Sequence, residues 1–366
     1  MNFFKTAPLS HMAAVQQCAR KFQGEATVNL ADMVLQVRGR NRQYSFYPQF
    51  VAVADGRLRY TTHTDDQTIG LKGWTPYAIK RWPTGMSKLA FKDFCQRNGL
   101  RTPAMWRAPS PEMRDFLVKK DASSFGEGLR GPFRRHEAQD PAQSLAEGGF
   151  YEAFVRGRIV KATYWDGRLA CVEILDMPTV KGDGRSSVRE LFASRCIDPP
   201  PEHEWLFLGG VAAYQGLTLD TIPAAGHPVL IDYRNGSYAH PRSRRNANAL
   251  QEIAGSALLA QLAGCGPVLW QGIPETLRPA TLFAVDAILD EQERLWLLEM
   301  NCNPVCHPDV YGPMMETLFG AADATEAPPQ LPPSALPDAD AVTQLPQSSS
   351  GGTPPFAASS RRFRVC

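Results

Sequence analysis

The sequence predicts an α+β protein built from antiparallel strand pairs and a few amphipathic helices. Two stretches indicate the strand pairs: residues 150–175 alternate around a Trp-Asp-Gly-Arg turn, and residues 281–304 hold two apolar strands separated by an acidic turn. Two others have a helical period, residues 86–100 with a capping Ser87 and residues 250–264 with a closing glycine. With 366 residues and 43% hydrophobic content, the chain is long enough for two or three compact units.

The two ends of the chain depart from this pattern. Residues 1–82 mix short apolar–polar alternations with a predicted hairpin turn at 54–57, which indicates a small N-terminal α/β domain. Residues 321–366 are rich in Pro, Ser and Ala, and they bury too little apolar surface to offset chain entropy. We therefore expect a disordered C-terminal tail, and truncation after Gly320 should leave activity and melting temperature unchanged.

Charge and composition argue against several classes of protein. Lys and Arg total 39 and Asp and Glu total 37, so the charge balance does not indicate a nucleic-acid partner. No apolar run is long enough to cross a bilayer, and the first residues lack the apolar centre of a secretory signal. We expect a cytoplasmic protein without a membrane partner, and a homodimer is left open.

The cysteines are the remaining compositional signal. There are eight, scattered through a large chain, which indicates reduced and buried thiols rather than a disulfide scaffold. Cys302, Cys306 and His307 stand close together, but no second ligand pair lies at zinc-like spacing. We interpret these residues as packing residues.

Two carboxylates stand inside strongly apolar strands near the end of the predicted core. Asp286 lies in Phe-Ala-Val-Asp-Ala-Ile-Leu, and Glu299 lies in Trp-Leu-Leu-Glu-Met-Asn. Because side chains alternate along a strand, Glu299 and Asn301 point to one face, and a turn brings Asp286 beside them. Three oxygen ligands on one rigid face suit Mg²⁺, which keeps its other positions for water and phosphate. The alternative is two ordinary polar residues, but buried carboxylates need partners.

This pattern resembles the end of the ATP-grasp core, where an Asp on one strand is followed by Glu-x-Asn on the next and commonly by a proline, here Pro304. The segment Trp-Leu-Leu-Glu-Met-Asn-Cys-Asn-Pro is similar to the tubulin tyrosine ligase and peptide-ligase versions. The resemblance implies ATP as a cosubstrate. It also implies Mg²⁺, with Mn²⁺ as the alternative metal, held by Asp286, Glu299 and Asn301.

The resemblance covers about residues 83–318 and implies an ATP-grasp fold, in which two α+β subdomains grip the nucleotide. Residues 83–150 would form the lid subdomain. Residues 151–320 would form the C-terminal subdomain with the metal site. Residues 1–82 would form an N-terminal domain that precedes the ATP-grasp core, and residues 321–366 would form the disordered tail.

The upstream half of the resemblance is a phosphate-binding strand and loop. Lys119 ends an apolar strand, and Ser124, Gly126 and Gly128 lie in the loop that follows. A lysine at a strand end provides a point charge for phosphate, and the amides of a Gly/Ser loop can approach its oxygens closely. The family has Val-Lys-Pro before a Gly-x-Gly loop, and Lys120 stands here in place of that proline. An ordinary basic turn is the alternative for this segment read alone.

Two further segments resemble the family's nucleotide contacts. Lys88 and Lys92 stand where the family helix carries two lysines, of which one reaches phosphate; we assign Lys88 and leave Lys92 open. Glu152 resembles the residue that takes the adenine amino group, and Ala153 and Val155 hold the backbone positions that bond the ring edge. The usual acidic ribose ligand downstream is replaced by basic and apolar residues.

A longer match, over residues 157–191, resembles cyanophycin synthetase and its relatives. A Gly-Arg pair, a turn, a Pro-Thr-Val-Lys-Gly-Asp-Gly segment and a Glu-Leu pair follow in the family's order. Lys161 stands where the family often has Arg, and we assign it a catalytic role. The resemblance also implies that an Arg stabilises the transferring phosphoryl group, with Arg234 the first choice and Arg244 the second. A solvated basic loop is the alternative for each arginine.

The resemblance implies an ADP-forming ligase that makes a carbon–nitrogen bond. A substrate carboxylate would attack the γ-phosphate of ATP, and an amine would then attack the acylphosphate. Small-molecule or peptide acids and amines are the expected substrates. Two alternatives remain: a nucleotide-binding protein without ligase activity, and an ATP-grasp kinase that stops at a phosphorylated product.

Overall fold

The computed structural model describes residues 8–54, 57–123, 126–140, 143–196, 199–235 and 247–320. The predicted tail, the loop residue Ser124 and the basic-loop residue Arg244 lie outside these ranges. Within them, helices pack against antiparallel sheets, so the predicted α+β class is confirmed. None of the helices found there combines the length and the apolar character needed to cross a bilayer.

The N-terminal part consists of one helix followed by an antiparallel sheet. The elements are α1 (Pro8–Lys21), β1 (Glu25–Val28), β2 (Leu35–Arg38), β3 (Gln43–Ala54), β4 (Arg57–Thr61) and β5 (Thr68–Thr75). The strands lie in the order β1–β2–β3–β4, and β5 also pairs with β3. The predicted hairpin at 54–57 is confirmed, because Ala54 pairs with Arg57 across it.

The next part carries a short helix pair and a second antiparallel sheet. The elements are α2 (Pro83–Met86), α3 (Lys88–Arg97), β6 (Met105–Trp106), β7 (Phe116–Lys120), β8 (Arg130–Phe133) and β9 (Gly149–Ala153). The four strands lie in the order β6–β9–β7–β8. The helix predicted over 86–100 is present as α3, which begins after Ser87 because the Ser87 side chain accepts a hydrogen bond from the Ala90 amide.

The largest core lies in the C-terminal part, around a third antiparallel sheet. Its strands are β10 (Arg158–Trp165), β11 (Arg168–Asp176), β14 (Leu282–Leu289) and β15 (Leu295–Asn301). They lie in the order β11–β10–β14–β15. The predicted turn between β10 and β11 is confirmed: Asp166 and Gly167 have φ values of 47° and 75°, which are the left-handed conformations of a tight hairpin turn.

The remaining elements of this part are β12 (Thr179–Lys181), α4 (Val188–Ala193), α5 (Glu202–Tyr214), β13 (Pro228–Leu230), α6 (Ala257–Gln271) and α7 (Tyr311–Phe319). The helix predicted over 250–264 is displaced along the chain. It begins at Ala257 because Ser256 caps it, and it continues past Gly264 because Leu269 still faces the core. Gly266 fits there because a β-carbon would lie 2.2 Å from the Gly167 carbonyl oxygen.

A buried histidine links the first and last helices to the N-terminal sheet. His11 of α1 is 0% exposed, and its Nδ1 lies 3.0 Å from the Tyr311 hydroxyl. The same hydroxyl accepts a hydrogen bond from the Trp74 amide of β5 at 3.0 Å. Burial, with a smaller contribution from His307, lowers the pKa of His11 from 6.5 to about 4.

This histidine predicts a loss of stability at mildly acidic pH. Between about pH 6.5 and pH 4 the unfolded chain protonates His11 and the folded protein does not, so the free energy of unfolding falls as pH decreases. From pH 8 to pH 5 the loss due to His11 is about 2 kcal/mol. Urea unfolding at both pH values should show this loss in the wild type and in His63→Gln, which changes an exposed histidine. His11→Gln should lose about 2 kcal/mol less; an equal loss in all three proteins would contradict the assignment.

Candidate active site

A row of charged side chains crosses the β11–β10–β14–β15 sheet. The register pairs Lys161 with Glu173 on one side and with Asp286 on the other, and it pairs Asp286 with Glu299. Residues directly opposed on neighbouring antiparallel strands project from the same face. The sheet therefore places Asp286 beside Glu299, as the short acidic turn predicts, and adds Lys161 from a distant segment.

The carboxylate of Asp286 is only partly satisfied by its neighbours. Asn301 Nδ2 donates to Asp286 Oδ2 at 3.0 Å. The other oxygen, Asp286 Oδ1, is buried and has no hydrogen-bond partner among the residues that the structure describes. A buried acceptor without a partner is unfavourable. The side-chain nitrogen of Asn301 donates to Asp286, so the side-chain oxygen of Asn301 can bind another group.

The row has an uneven charge balance in a buried setting. Burial raises the pKa of Asp286; Lys161 opposes this change and Glu299 reinforces it. Burial disfavours the ammonium of Lys161, but the carboxylates of Asp286, Glu173 and Glu299 outweigh burial and raise its pKa. Three carboxylates face two ammonium groups, those of Lys161 and of Lys88, which contacts Glu299, and the remaining negative charge favours the binding of a cation.

The donor set fits a hard divalent cation. The two carboxylates of Asp286 and Glu299 and the amide carbonyl of Asn301 are oxygen donors of the kind that Mg²⁺ and Mn²⁺ accept. The unpartnered Asp286 Oδ1 is an atom that a cation would satisfy. In the described ranges, no group of three or more His, Cys, Asp or Glu side chains could hold a metal ion. A metal at this site would therefore take its other ligands from water or phosphate, as Mg²⁺ usually does.

The neighbouring thiols contact the backbone. Cys302 Sγ lies 3.6 Å from the Gly85 carbonyl oxygen, and Cys306 Sγ lies 3.6 Å from the His307 carbonyl oxygen. Burial raises the pKa of the Cys306 thiol to about 12, so it is protonated at neutral pH. These contacts agree with the interpretation of both cysteines as packing residues.

The start of α3 brings Lys88 to the candidate metal site. Lys88 Nζ lies 3.1 Å from Glu299 Oε2, and it also donates to the Ser123 carbonyl oxygen at 2.6 Å. The Ser87 hydroxyl donates to Asp121 at 2.9 Å, which ties the helix start to the end of β7. Lys88 is therefore the helix lysine that lies beside Glu299 and the candidate metal site.

Lys92, one turn further along α3, has a different environment. Its ammonium is fully buried and lies 2.6 Å from Glu152 Oε2, while Lys119 Nζ lies 2.6 Å from Glu152 Oε1. Burial alone would raise the pKa of Glu152, but the two lysines outweigh it and lower the pKa. Glu152 therefore orients both ammonium groups. The resemblance implied a contact between Glu152 and the adenine amino group and did not indicate this ion pairing.

The predicted hinge and loop are partly described. The Ala153 amide donates to the Ala104 carbonyl oxygen at 2.8 Å, whereas the Val155 amide has no acceptor in the described part of the chain. Gly126 and Gly128 have φ values of 76° and 73°, a conformation that favours glycine. A β-carbon on Gly126 would meet no atom of the described residues within 4 Å, so the φ value is the feature that favours glycine here. Contacts of these residues with nucleotide stay predictions.

Arg234 belongs to a cluster of charged residues with Asp232 and Glu204. Its guanidinium lies 2.8 Å from Asp232 Oδ2 and 2.5 Å from Glu204 Oε2, and it stacks on the Phe207 ring at 3.6 Å. Burial opposes its charge, but Asp232 and Glu204 outweigh burial and raise its pKa. Two carboxylates already neutralise this arginine, and its predicted contact with a phosphoryl group remains a prediction. The second choice, Arg244, lies outside the described residues.

The N-terminal sheet brings two residues close to the candidate site, Lys72 and Tyr60, which the sequence analysis missed. Lys72 of β5 is 0% exposed, and its Nζ lies 3.3 Å from the centre of the Tyr60 ring. Burial raises the pKa of the Tyr60 hydroxyl, and Asp286 and Glu299 add to this effect. Burial and Lys161 lower the pKa of Lys72 well below its usual range. A lysine within the apolar run Gly-Leu-Lys-Gly-Trp was the available signal.

Comparison with solved structures gives distant likenesses only. No protein-family model and no curated protein matches the chain. The chain resembles a bifunctional glutathione synthetase from Pasteurella multocida at 15% identity and a TM-score of 0.37, over 85% of this chain and 43% of that one. It resembles the ATP-grasp ligase PsnB, complexed with a minimal precursor, at 11% identity and a TM-score of 0.34. This match covers 64% of this chain and 60% of that one.

A third likeness is to a D-alanine–D-alanine ligase from Bacillus anthracis, at 11% identity and a TM-score of 0.33, over 64% of this chain and 66% of that one. The chain spans less than half of the length of the glutathione synthetase and about two thirds or less of the other two. Because all three TM-scores are below 0.5, the functional interpretation rests on the residues of the site.

Proposed function

We propose that this chain is an ADP-forming ATP-grasp ligase that joins a carboxylate to an amine through an acylphosphate. The observation that carries the proposal is the set Asp286, Glu299 and Asn301, next to Lys161 in one row of the sheet. Within the described ranges, the buried oxygen Oδ1 of Asp286 has no hydrogen-bond partner. The Glu-x-Asn motif supports the same interpretation. We also propose that the chain is related to cyanophycin synthetase and its relatives more closely than to other ATP-grasp ligases, on the basis of residues 157–191.

The proposed nucleotide contacts follow from the positions of the lysines. Lys88 lies at the metal-binding carboxylates and would contact the terminal phosphates. Lys119 of β7 is held by Glu152 of the neighbouring strand β9 and would also contact the phosphates. The Val155 amide, which has no acceptor in the described part of the chain, would bond the adenine edge. Bound Mg²⁺, held by Asp286, Glu299 and Asn301, would neutralise phosphate charge.

Lys161 is the proposed catalytic cation. It lies opposite Asp286 in the sheet, and the surrounding carboxylates keep it charged. In the first step a carboxylate oxygen of the acid attacks the γ-phosphorus, and the bond to the β–γ bridging oxygen breaks to release ADP. In the second step the amine attacks the acyl carbon, phosphate leaves, and the amine loses a proton. Lys161 would stabilise the negative charge that develops on the transferred group.

The test is a screen of amino acids and short peptides for ADP release in the presence of Mg²⁺, with mass spectrometry of the products. Hydroxylamine added in place of the amine should give a hydroxamate of the active acid, because it traps an acylphosphate. A phosphate ester as the product would instead identify a kinase. Nucleotide binding without turnover across the screen would favour a regulatory nucleotide-binding protein.

A further inference from the structure

One residue of the N-terminal sheet holds the loop that follows the third metal-binding residue. Lys72 Nζ donates to the Asn303 carbonyl oxygen at 2.5 Å. The Lys72 carbonyl oxygen accepts from the Cys306 amide at 2.9 Å. Both ends of the segment 303–306 are therefore bonded to a single residue of β5, immediately after Asn301.

The segment that follows β5 holds the same loop by other contacts. The Asn303 side chain bonds the backbone of Lys80 twice, accepting from its amide at 3.2 Å and donating to its carbonyl oxygen at 2.7 Å. Trp82 Nε1 lies 3.2 Å from the sulfur of Met300. Residues 72–82 thus run along residues 300–306 and bond them on both sides of Asn301.

The environment of Lys72 is unusual for a residue with a purely structural role. Its side chain is fully buried, and among the described residues no carboxylate lies within ion-pair distance of it. Burying an ammonium without a carboxylate partner is costly, and an apolar residue of similar size would fill the space at lower cost. What Lys72 adds over such a residue is its hydrogen bond to the Asn303 carbonyl and its contact with the Tyr60 ring.

From these contacts we infer that Lys72 is a positioning residue: through the Asn303 carbonyl it sets the loop that orients Asn301 toward the metal. The inference rests on the proposed metal site. On this account the N-terminal sheet supports the metal site through its contacts with residues 300–306. The hydrogen bond is available from either protonation state of the side chain, because both the ammonium and the amine carry N–H donors.

The experiment is the binding of Mn²⁺ by the full-length protein, measured by electron paramagnetic resonance, together with the melting temperature. Lys72→Met keeps the apolar stem and removes the donor, and we expect its Mn²⁺ Kd to rise at least tenfold. Lys80→Met is the matched control. Lys80 is partly buried, and its ammonium donates to the Leu277 and Pro279 carbonyl oxygens and to the Thr281 hydroxyl. The variant keeps the backbone bonds of Lys80 to Asn303, so it should lower the melting temperature and leave the Mn²⁺ Kd unchanged.

The outcomes separate the inference from the proposed function. If the wild type binds no Mn²⁺, the proposed metal site is wrong. If the wild type binds Mn²⁺ and Lys72→Met binds it equally well, the inference is overturned and the proposed function stands. Asn303→Ala, which keeps the carbonyl but removes the bonds to Lys80, gives a second test, since it should weaken Mn²⁺ binding in the same direction. Unchanged binding in that variant would also count against the inference.

Discussion

Asp286→Asn and Glu299→Gln are each expected to reduce ADP formation by about 10³-fold or more. Both changes keep side-chain volume and remove a negative charge from the row that would hold Mg²⁺. The loss should appear in kcat, because the metal stabilises charge that develops in the transition state. Steady-state ADP release over a range of Mg²⁺ concentrations measures it.

The fold should survive both changes. Burial already disfavours the charged form of Asp286, so a neutral amide is tolerated there. Because the buried Lys161 loses one of its carboxylate partners, the melting temperature of Asp286→Asn should fall without loss of the fold. Glu291→Gln, in the exposed turn of the same hairpin, is the control and should keep full activity and Mn²⁺ binding. Full activity in Asp286→Asn or Glu299→Gln would refute the metal assignment, and so would an equal loss in the control.

Lys119→Met is expected to weaken ATP binding about 10- to 100-fold, whereas Lys120→Met should change it little. The two lysines are adjacent in β7 but point to opposite faces. Lys119 Nζ lies 2.6 Å from Glu152 Oε1, and 12% of the Lys119 side chain is exposed. Lys120, at the end of the strand, is exposed. Titration of the two variants with a fluorescent ATP analogue measures the difference.

A stability control is needed here, because Glu152 is buried and keeps only Lys92 once Lys119 is removed. The melting temperature of Lys119→Met should fall for that reason. Binding measured well below the melting temperature, in both variants, separates folding from affinity. Equal losses of ATP affinity in Lys119→Met and Lys120→Met would contradict the placement of Lys119 at the phosphates.

The acidic strand pair shows how far sequence reasoning reaches. A short turn between two apolar strands leaves an antiparallel hairpin as the expected pairing, and the period of two then puts Glu299 and Asn301 on one face. The exact register does not follow from this local geometry, because regular pairing from Leu289 opposite Leu295 would put Asp286 opposite Leu298. A β-bulge between Asp286 and Ala287 shifts the pairing by one residue and places Asp286 opposite Glu299. Helix α3 was predictable for a similar reason, since Ser87 and Gly99 mark its two ends.

The choice between Lys88 and Lys92 shows where such reasoning stops. The two residues lie four positions apart on one helix, and helical spacing places them on the same side. Their partners, Glu299 and Glu152, come from strands of different sheets far along the chain. Only the packing of α3 against those sheets pairs Lys88 with Glu299 at the proposed metal site and Lys92 with Glu152 in a buried ion pair.

By itself, the sequence determined two strand pairs, the capped helix and the adjacent strands that carry Asp286 and Glu299, because each depends on residues close together in the chain. The tertiary structure decided what depends on distant segments. It placed Lys161 beside Asp286, gave Glu152 two lysine partners, and brought Lys72 to the loop after Asn301. The physical reason is that burial and charge pairing are properties of the whole packed chain, whereas turns, caps and side-chain alternation are set by a few consecutive residues.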